Sequence, residues 1–172
     1  LYNTANGVIT IGKSDYTGYV LLGGCLGTAP AWSDNNKEQV NFKIENCENR
    51  AAINYYGVST SNLGLYVGGI FGYIYEQTLG GVLIAAETNH IDNYGPIKIE
   101  SDNQNVIKMG GIAAYMGGTS SFVHNHESGT INLNVNTRSH VHIGGISQAL
   151  KDVASDLTND GNVTVNGTEK YR

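Results

Sequence analysis

The feature that most constrains this chain is a glycine pair that keeps returning in the same apolar setting. Leu22-Gly23-Gly24-Cys25-Leu26-Gly27 recurs as Val67-Gly68-Gly69-Ile70-Phe71-Gly72, as Met109-Gly110-Gly111-Ile112-Ala113-Ala114, and as Ile143-Gly144-Gly145-Ile146-Ser147. A second motif alternates with it. Asn6-Gly7-Val8-Ile9-Thr10-Ile11 corresponds to Asn93-Tyr94-Gly95-Pro96-Ile97-Lys98-Ile99, to the segment 128–135, to the segment 160–165, and to a degenerate copy at 49–55. With Gly7, Ala51, Gly95, Gly129 and Gly161 as markers, the spacings are 44, 44, 34 and 32 residues. Two motifs that keep their order while their spacing varies describe a repeat array whose insertions fall in loops, where extra length costs little.

Within each repeat the apolar residues alternate. Leu65 and Val67 point one way and Tyr66 the other; Val141 and Ile143 alternate with His140 and His142; Ile131, Leu133 and Val135 alternate with Asn132, Asn134 and Asn136. A period of two means strand. Further short strands are expected at Val40–Ile44, Val82–Ala86 and Phe122–His124. The pattern predicts an all-β fold, a parallel β-solenoid with about three short strands per coil and four to five coils. Residues 1–172 read as a single solenoid domain, a fragment of a larger protein. The coils run roughly 7–50, 51–94, 95–128 and 129–160, with a partial coil at 161–172. Loop insertions are expected in the first two coils, at Thr28–Glu38, Gly57–Gly64 and Tyr73–Gly80. The recurring glycine pair marks a corner where the backbone bends or takes positive φ. The Asn residues of the second motif satisfy turn groups. Ser147–Leu157 stands apart: Ala149, Leu150, Val153, Ala154 and Leu157 recur at helical spacing, which favours a helix slightly over another strand.

Composition removes several function classes. Charged residues make up only 15% of the chain, the opposite of a disordered composition. Ten Lys and Arg against fifteen Asp and Glu speak against a nucleic-acid groove. No apolar run approaches the ~20 residues of a membrane span. Cys25 and Cys47 could pair in an oxidising compartment, but Cys25 falls where other repeats carry Ile70, Ile112 and Ile146, and a buried free thiol is the favoured reading.

The element Val67–Gly72, followed by an Asn-rich turn and Asn93–Ile99, resembles the GLUG-type repeats of bacterial surface proteins, common in Bacteroidetes. The resemblance covers the first four coils. It departs at Arg50-Ala51 in place of the turn glycine, at Ala114 in place of a glycine, and at Ser147-Gln148. It implies a secreted or cell-surface solenoid of structural or adhesive character, with no catalytic residues to carry over and no cofactor.

Eleven Tyr against three Phe is a skewed ratio, and Tyr55, Tyr56, Tyr66, Tyr73 and Tyr75 crowd the second coil. Tyrosine offers a flat apolar face with a polar tip, suited to sugars or a protein partner. An exterior stacking ladder is the blander and favoured reading. Trp32, in the loop beside Pro30, is the further candidate for ligand contact. His124 with His126, and His140 with His142, each share a strand face and together could hold zinc. His142, however, aligns with Leu21, Tyr66 and Lys108, so an exterior polar ladder is expected and no metal is assigned. The acids are scattered, and Asp152 and Asp156 have no carboxylate partner in view. Nucleophile elbows, phosphate loops and His-Glu-x-x-His are absent from the sequence. The expected function is a non-enzymatic extracellular or cell-surface structural or adhesion module, presenting loops and strand faces to a protein or glycan. A neighbouring domain or subunit would cover the solenoid ends. The alternatives are a carbohydrate-binding module using the surface Tyr and Trp, and a solenoid-type polysaccharide lyase or hydrolase.

Overall fold

The computed structural model describes residues 1–4, 6–12, 15–16, 19–29, 42–59, 64–79, 82–101, 106–135 and 140–167, and within them the chain is all β. It begins with β1 (Tyr2–Asn3), β2 (Val8–Ile11), β3 (Asp15–Tyr16), β4 (Val20–Gly23), β5 (Leu26–Ala29) and β6 (Phe42–Asn49). Next come β7 (Ala52–Ser59), β8 (Leu65–Gly68), β9 (Phe71–Ile74), β10 (Gln77–Leu79), β11 (Val82–Ile84) and β12 (Ala86–Asn93). They are followed by β13 (Ile97–Ser101), β14 (Ile107–Gly110), β15 (Ala113–Met116) and β16 (Thr119–Asn125). The last are β17 (Ile131–Val135), β18 (Val141–Gly144), β19 (Ser147–Leu150), β20 (Ala154–Asn159) and β21 (Val163–Gly167).

These strands form four parallel sheets. Sheet I is β2-β7-β13-β17-β21, with β3 also on β7; sheet II is β4-β8-β14-β18; sheet III is β5-β9-β15-β19; sheet IV is β1-β6-β12-β16-β20. The chain passes through sheets I, II, III and IV in turn and then returns to sheet I, one layer further along. That is the parallel β-solenoid arrangement. Each circuit holds four strands where three were expected, because the glycine pair separates two strands. The strand after it, as in β9 and β15, has no distinctive pattern of its own. Phe122–His124 lies inside β16, and Val40–Ile44 reaches the start of β6, with residues 40 and 41 outside the described ones. Val82–Ala86 falls mainly on β11, which pairs antiparallel with β10 as a side hairpin; only Ala86 begins β12. The expected loop Tyr73–Gly80 therefore contains the end of β9 and one arm of that hairpin.

Ser147–Leu157 is not a helix. It supplies β19 and the start of β20, with Ala149 opposite Tyr115 and Leu157 opposite Val123. A helix would leave the edges of β15 and β16 without partners, a cost that local propensity does not offset. Asp152 and Asp156 have φ of 70° and 52°, which no right-handed helix accommodates.

Two cores fill the cross-section. Ile53, Ile97 and Ile131 from sheet I pack with Leu65, Val67, Ile107 and Met109 from sheet II. Ile91 and Val123 from sheet IV pack with Phe71, Ile74 and Met116 from sheet III and with Ile70 and Ile112 of the bend. Between them the section narrows to a waist. On one side stands the second glycine of each pair; on the other, a column of asparagines ends the strands of sheet IV. A Cβ on Gly69 would overlap the Gly111 carbonyl and the Asn93 amide, and Gly24, Gly111 and Gly145 meet Asn49, Asn125 and Asn159 in the same way. Among the described glycines only Gly118 has positive φ, so close approach, not a left-handed backbone, is what requires the glycine pair.

The asparagines form a continuous chain, buried at Asn49, Asn93 and Asn125 and exposed at Asn159. Asn49 Nδ2 donates to Asn93 Oδ1 at 2.9 Å, Asn93 Nδ2 to Asn125 Oδ1 at 2.9 Å, and Asn125 Nδ2 to Asn159 Oδ1 at 2.8 Å. Each also binds its own turn, as when Asn93 Nδ2 donates to Gly95 O at 3.0 Å and Gly95 N–H donates back to Asn93 Oδ1 at 3.2 Å. Ala51, in place of the turn glycine, keeps that geometry through its N–H to Asn49 Oδ1 at 3.1 Å. Sheet IV carries a second repeated device: Asn46, His90, Phe122 and Asp156, at one position in successive layers, all take φ between 51° and 54°. The thiols are free, Cys47 buried and Cys25 half-buried. Cys25 donates its N–H to Ile70 O as Ile70 does to Ile112 O, confirming its place in the isoleucine column. Burial pushes its thiol up to about 11.

Candidate functional site

The bend at the glycine pair brings the outer faces of sheets II and III toward each other. Tyr66 points outward from β8 and Tyr73 from β9, and their ring centroids lie 5.4 Å apart, edge to face. Tyr73 is the centre of the group. Tyr115, one layer on and opposite Tyr73 in register, stacks on it at 4.6 Å with an 11° interplanar angle. Tyr75, just past β9, lies 4.3 Å from Tyr73, and Tyr19, just before β4, lies 5.8 Å from Tyr66. Offset and edge contacts are what the aromatic quadrupole favours. The Lys108 ammonium sits 5.2 Å above Tyr66, within cation–π range.

Mutual packing sets the electrostatics. Desolvation, aided by the neighbouring phenols of Tyr115, Tyr75 and Tyr66, pushes Tyr73 up to about 12. Tyr66 and Tyr115 are raised mainly by desolvation, with Tyr19 and Tyr75 adding to the first and Asp152 to the second. All three therefore remain neutral hydrogen-bonding phenols at physiological pH. Tyr66, Tyr73 and Tyr115 are half-buried, while Tyr19 and Tyr75 stay exposed. The result is a contiguous aromatic platform of neutral phenols.

Of the expected site residues, the structure brings Tyr66, Tyr73 and Tyr75 together. Tyr55 is corrected: it points inward from β7, is fully buried, and fills the core of sheets I and II, so it contacts no ligand. Tyr56 faces outward on sheet I, away from the platform, with Lys98 Nζ 5.6 Å from its ring. Trp32 lies outside the described residues. Tyr115 and Tyr19 were not anticipated. The signal for Tyr115 was present, since it stands five residues after Gly110 as Tyr73 stands after Gly68. Tyr19 has no such register: just before β4 it lies level with Gly64, and it joins diagonally through Tyr66 of the neighbouring layer of sheet II.

The histidines divide. His142 lies on sheet II in the outward column with Lys108 and Tyr66, as expected. His124 and His126 lie on the opposite side of the molecule, flanking the asparagine column with Asp92, so the four imidazoles do not converge. Among the described residues many carboxylates sit in ion pairs: Lys43 lies 3.2 Å from Glu87 on sheet IV, where Arg50 also pairs with Glu48, and Lys98 lies 2.8 Å from Glu100 on sheet I. No described helix is long and apolar enough to cross a membrane. Compared with known proteins, the chain matches no family model, no curated protein and no solved structure.

Proposed function

We propose that this chain is a non-enzymatic structural and adhesive segment of a secreted or cell-surface protein, a stiff spacer that presents loops and strand faces to a partner. The observation that carries this is how the layers are held together. Ile53, Ile97 and Ile131 form one fully buried ladder across three circuits, and Tyr55, Ile99 and Leu133 form the next. Each of these layers is sealed by its neighbours, while outward side chains such as Tyr66, Lys108 and His142 stand in register on the sheet faces. A stack of this kind is a stiff scaffold of nearest-neighbour contacts that can present its faces and loops to a partner. The GLUG-type resemblance points to the same class and supports a bacterial surface setting.

The test is adhesion without turnover. Beads coated with residues 1–172 should be retained on cell surfaces or on extracts of surface protein and glycan, beads coated with heat-unfolded chain should not, and no glycan should be cleaved. Beads that are not retained, or the release of cleaved glycan, would overturn the reading.

A specific observation also favours carbohydrate binding, with the platform of Tyr66, Tyr73, Tyr75, Tyr115 and Tyr19 as the surface. A glycan array that gives signals lost on Tyr75→Ala and Tyr19→Ala supports it, and a blank array removes it. The lyase or hydrolase reading draws less support, because its acids are largely taken up by neighbouring bases.

A further inference from the structure

On the face opposite the tyrosines, two outward columns flank the buried asparagines of the waist. One holds Asp92 and His124 in register; the other holds Tyr94, His126 and Asp160, each the residue immediately after an asparagine rung. The side chains cross between layers. His126 Nε2–H donates to Asp92 Oδ1 at 2.8 Å, and His124 Nε2–H donates to Asp160 Oδ2 at 2.7 Å. The two imidazoles stack with centroids 3.6 Å apart, and Tyr94 stacks on His126 at 3.8 Å. One ligand atom from each of Asp92, His124 and His126 already lies within 4.8 Å of the others.

We propose that Asp92, His124 and His126, with Asp160 as a fourth ligand, form a binding site for a divalent late transition metal of the zinc type. Two imidazoles and one or two carboxylates are a donor set that suits zinc, while all-oxygen sites suit calcium or magnesium. Bonds of ~2.1 Å to a tetrahedral ion place ligand atoms roughly 3.4 Å apart. Side-chain rotation can supply that contraction, since His124, His126 and Asp92 are only partly buried, at 30%, 23% and 35% side-chain exposure. Their backbones need not move. Asn93, Asn125 and Asn159, each next to a ligand in sequence, are locked in the amide column, so the ligands are presented from a rigid base. A depression of about 550 Å³ lined by Tyr94, His126 and Asp160 leaves room for water or an exogenous ligand on the ion. A bound ion would tie together the layers of β12, β16 and β20, because Asp92, His124 and Asp160 come from successive circuits. Metal binding to the folded state alone raises stability by mass action.

The test uses the untagged full chain, stripped with chelator and titrated with zinc chloride by calorimetry, with cobalt(II) as a spectroscopic probe. One zinc per chain is expected, with a rise in unfolding temperature that chelator reverses and no comparable rise with calcium. His124→Gln and His126→Gln should each weaken zinc binding by at least about tenfold, given that even outer-shell changes cost 10–100-fold. His140→Ala with His142→Ala removes the other imidazole pair and should leave binding unchanged. Absence of stoichiometric zinc binding overturns the proposal. So does binding that survives both single variants, or that disappears only in the His140/His142 double variant. Circular dichroism of each variant separates loss of the site from loss of the fold.

Discussion

At the scale of single residues, the waist carries the sharpest consequences. Asn93 makes hydrogen bonds to Asn49, Asn125 and its own turn, all buried. Asn93→Ala strands several of those partners, and each buried unsatisfied group costs roughly 1–3 kcal/mol, so a loss of about 2–4 kcal/mol is expected in urea denaturation. Asn159→Ala should cost clearly less, since that rung is at the partly exposed end of the column. Gly69→Ala is expected to lose about 3 kcal/mol, the upper end for overpacking, because the obstacle is a backbone carbonyl and a locked amide. Gly12→Ala meets nothing within 4 Å and should stay within about 0.5 kcal/mol of the parent. The glycine pair was legible as a required corner in the sequence. Its reason was not, because the asparagine it touches belongs to another part of the circuit and to another layer. The repeated left-handed position was hidden as well: Asn46 and Asp156 tolerate that conformation, but His90 and Phe122 at the same place give no such hint.

At the scale of elements, strands facing each other decided what local pattern left open. The spacing of Ala149, Leu150, Val153 and Leu157 satisfies a helix in isolation, yet the ready edges of β15 and β16 draw the segment into β19 and β20. The tyrosine platform is an element-scale object of the same kind. It joins sheets II and III across a bend, so only rungs in register, such as Tyr73 and Tyr115, could have been paired from the sequence. Its titration is a test of its packing. Tyr73 is raised from its ordinary value of 10.0 to about 12, and Cys25 from 9.0 to about 11, both chiefly by desolvation. In each case the folded state holds its proton more tightly than the unfolded chain. The stability from these groups is therefore intact below pH 9 and is lost progressively as pH rises through 11 and 12. Urea midpoints should be flat up to pH 9 and then fall, and Tyr73→Phe should reduce the fall above pH 10 without abolishing it, because Tyr66 and Tyr115 are raised as well. A midpoint that holds steady to pH 12 would contradict the packing described for the platform.

At the scale of the whole molecule, the solenoid is a one-dimensional stack in which each layer depends on its neighbours. β13 alternates buried and exposed residues through its length, whereas β21 at the end of the same sheet is exposed throughout. Amide exchange should follow that gradient, with β8, β13 and β14 slowest and β18 to β21 fastest, each end opening before the middle. Uniform protection from β7 to β21 would show a single cooperative unit instead. Repetition, strand period and the parallel architecture were determined by the sequence alone, because each is a local pattern that every layer restates. Four strands per circuit, the two cores with a waist between them, the inward turn of Tyr55, and the meeting of Asp92 with His124 and His126 were decided only by the tertiary structure. The physical reason is the same for all four: they arise where residues from different layers or opposite sides of a circuit come within contact distance, and no spacing along the chain encodes that distance.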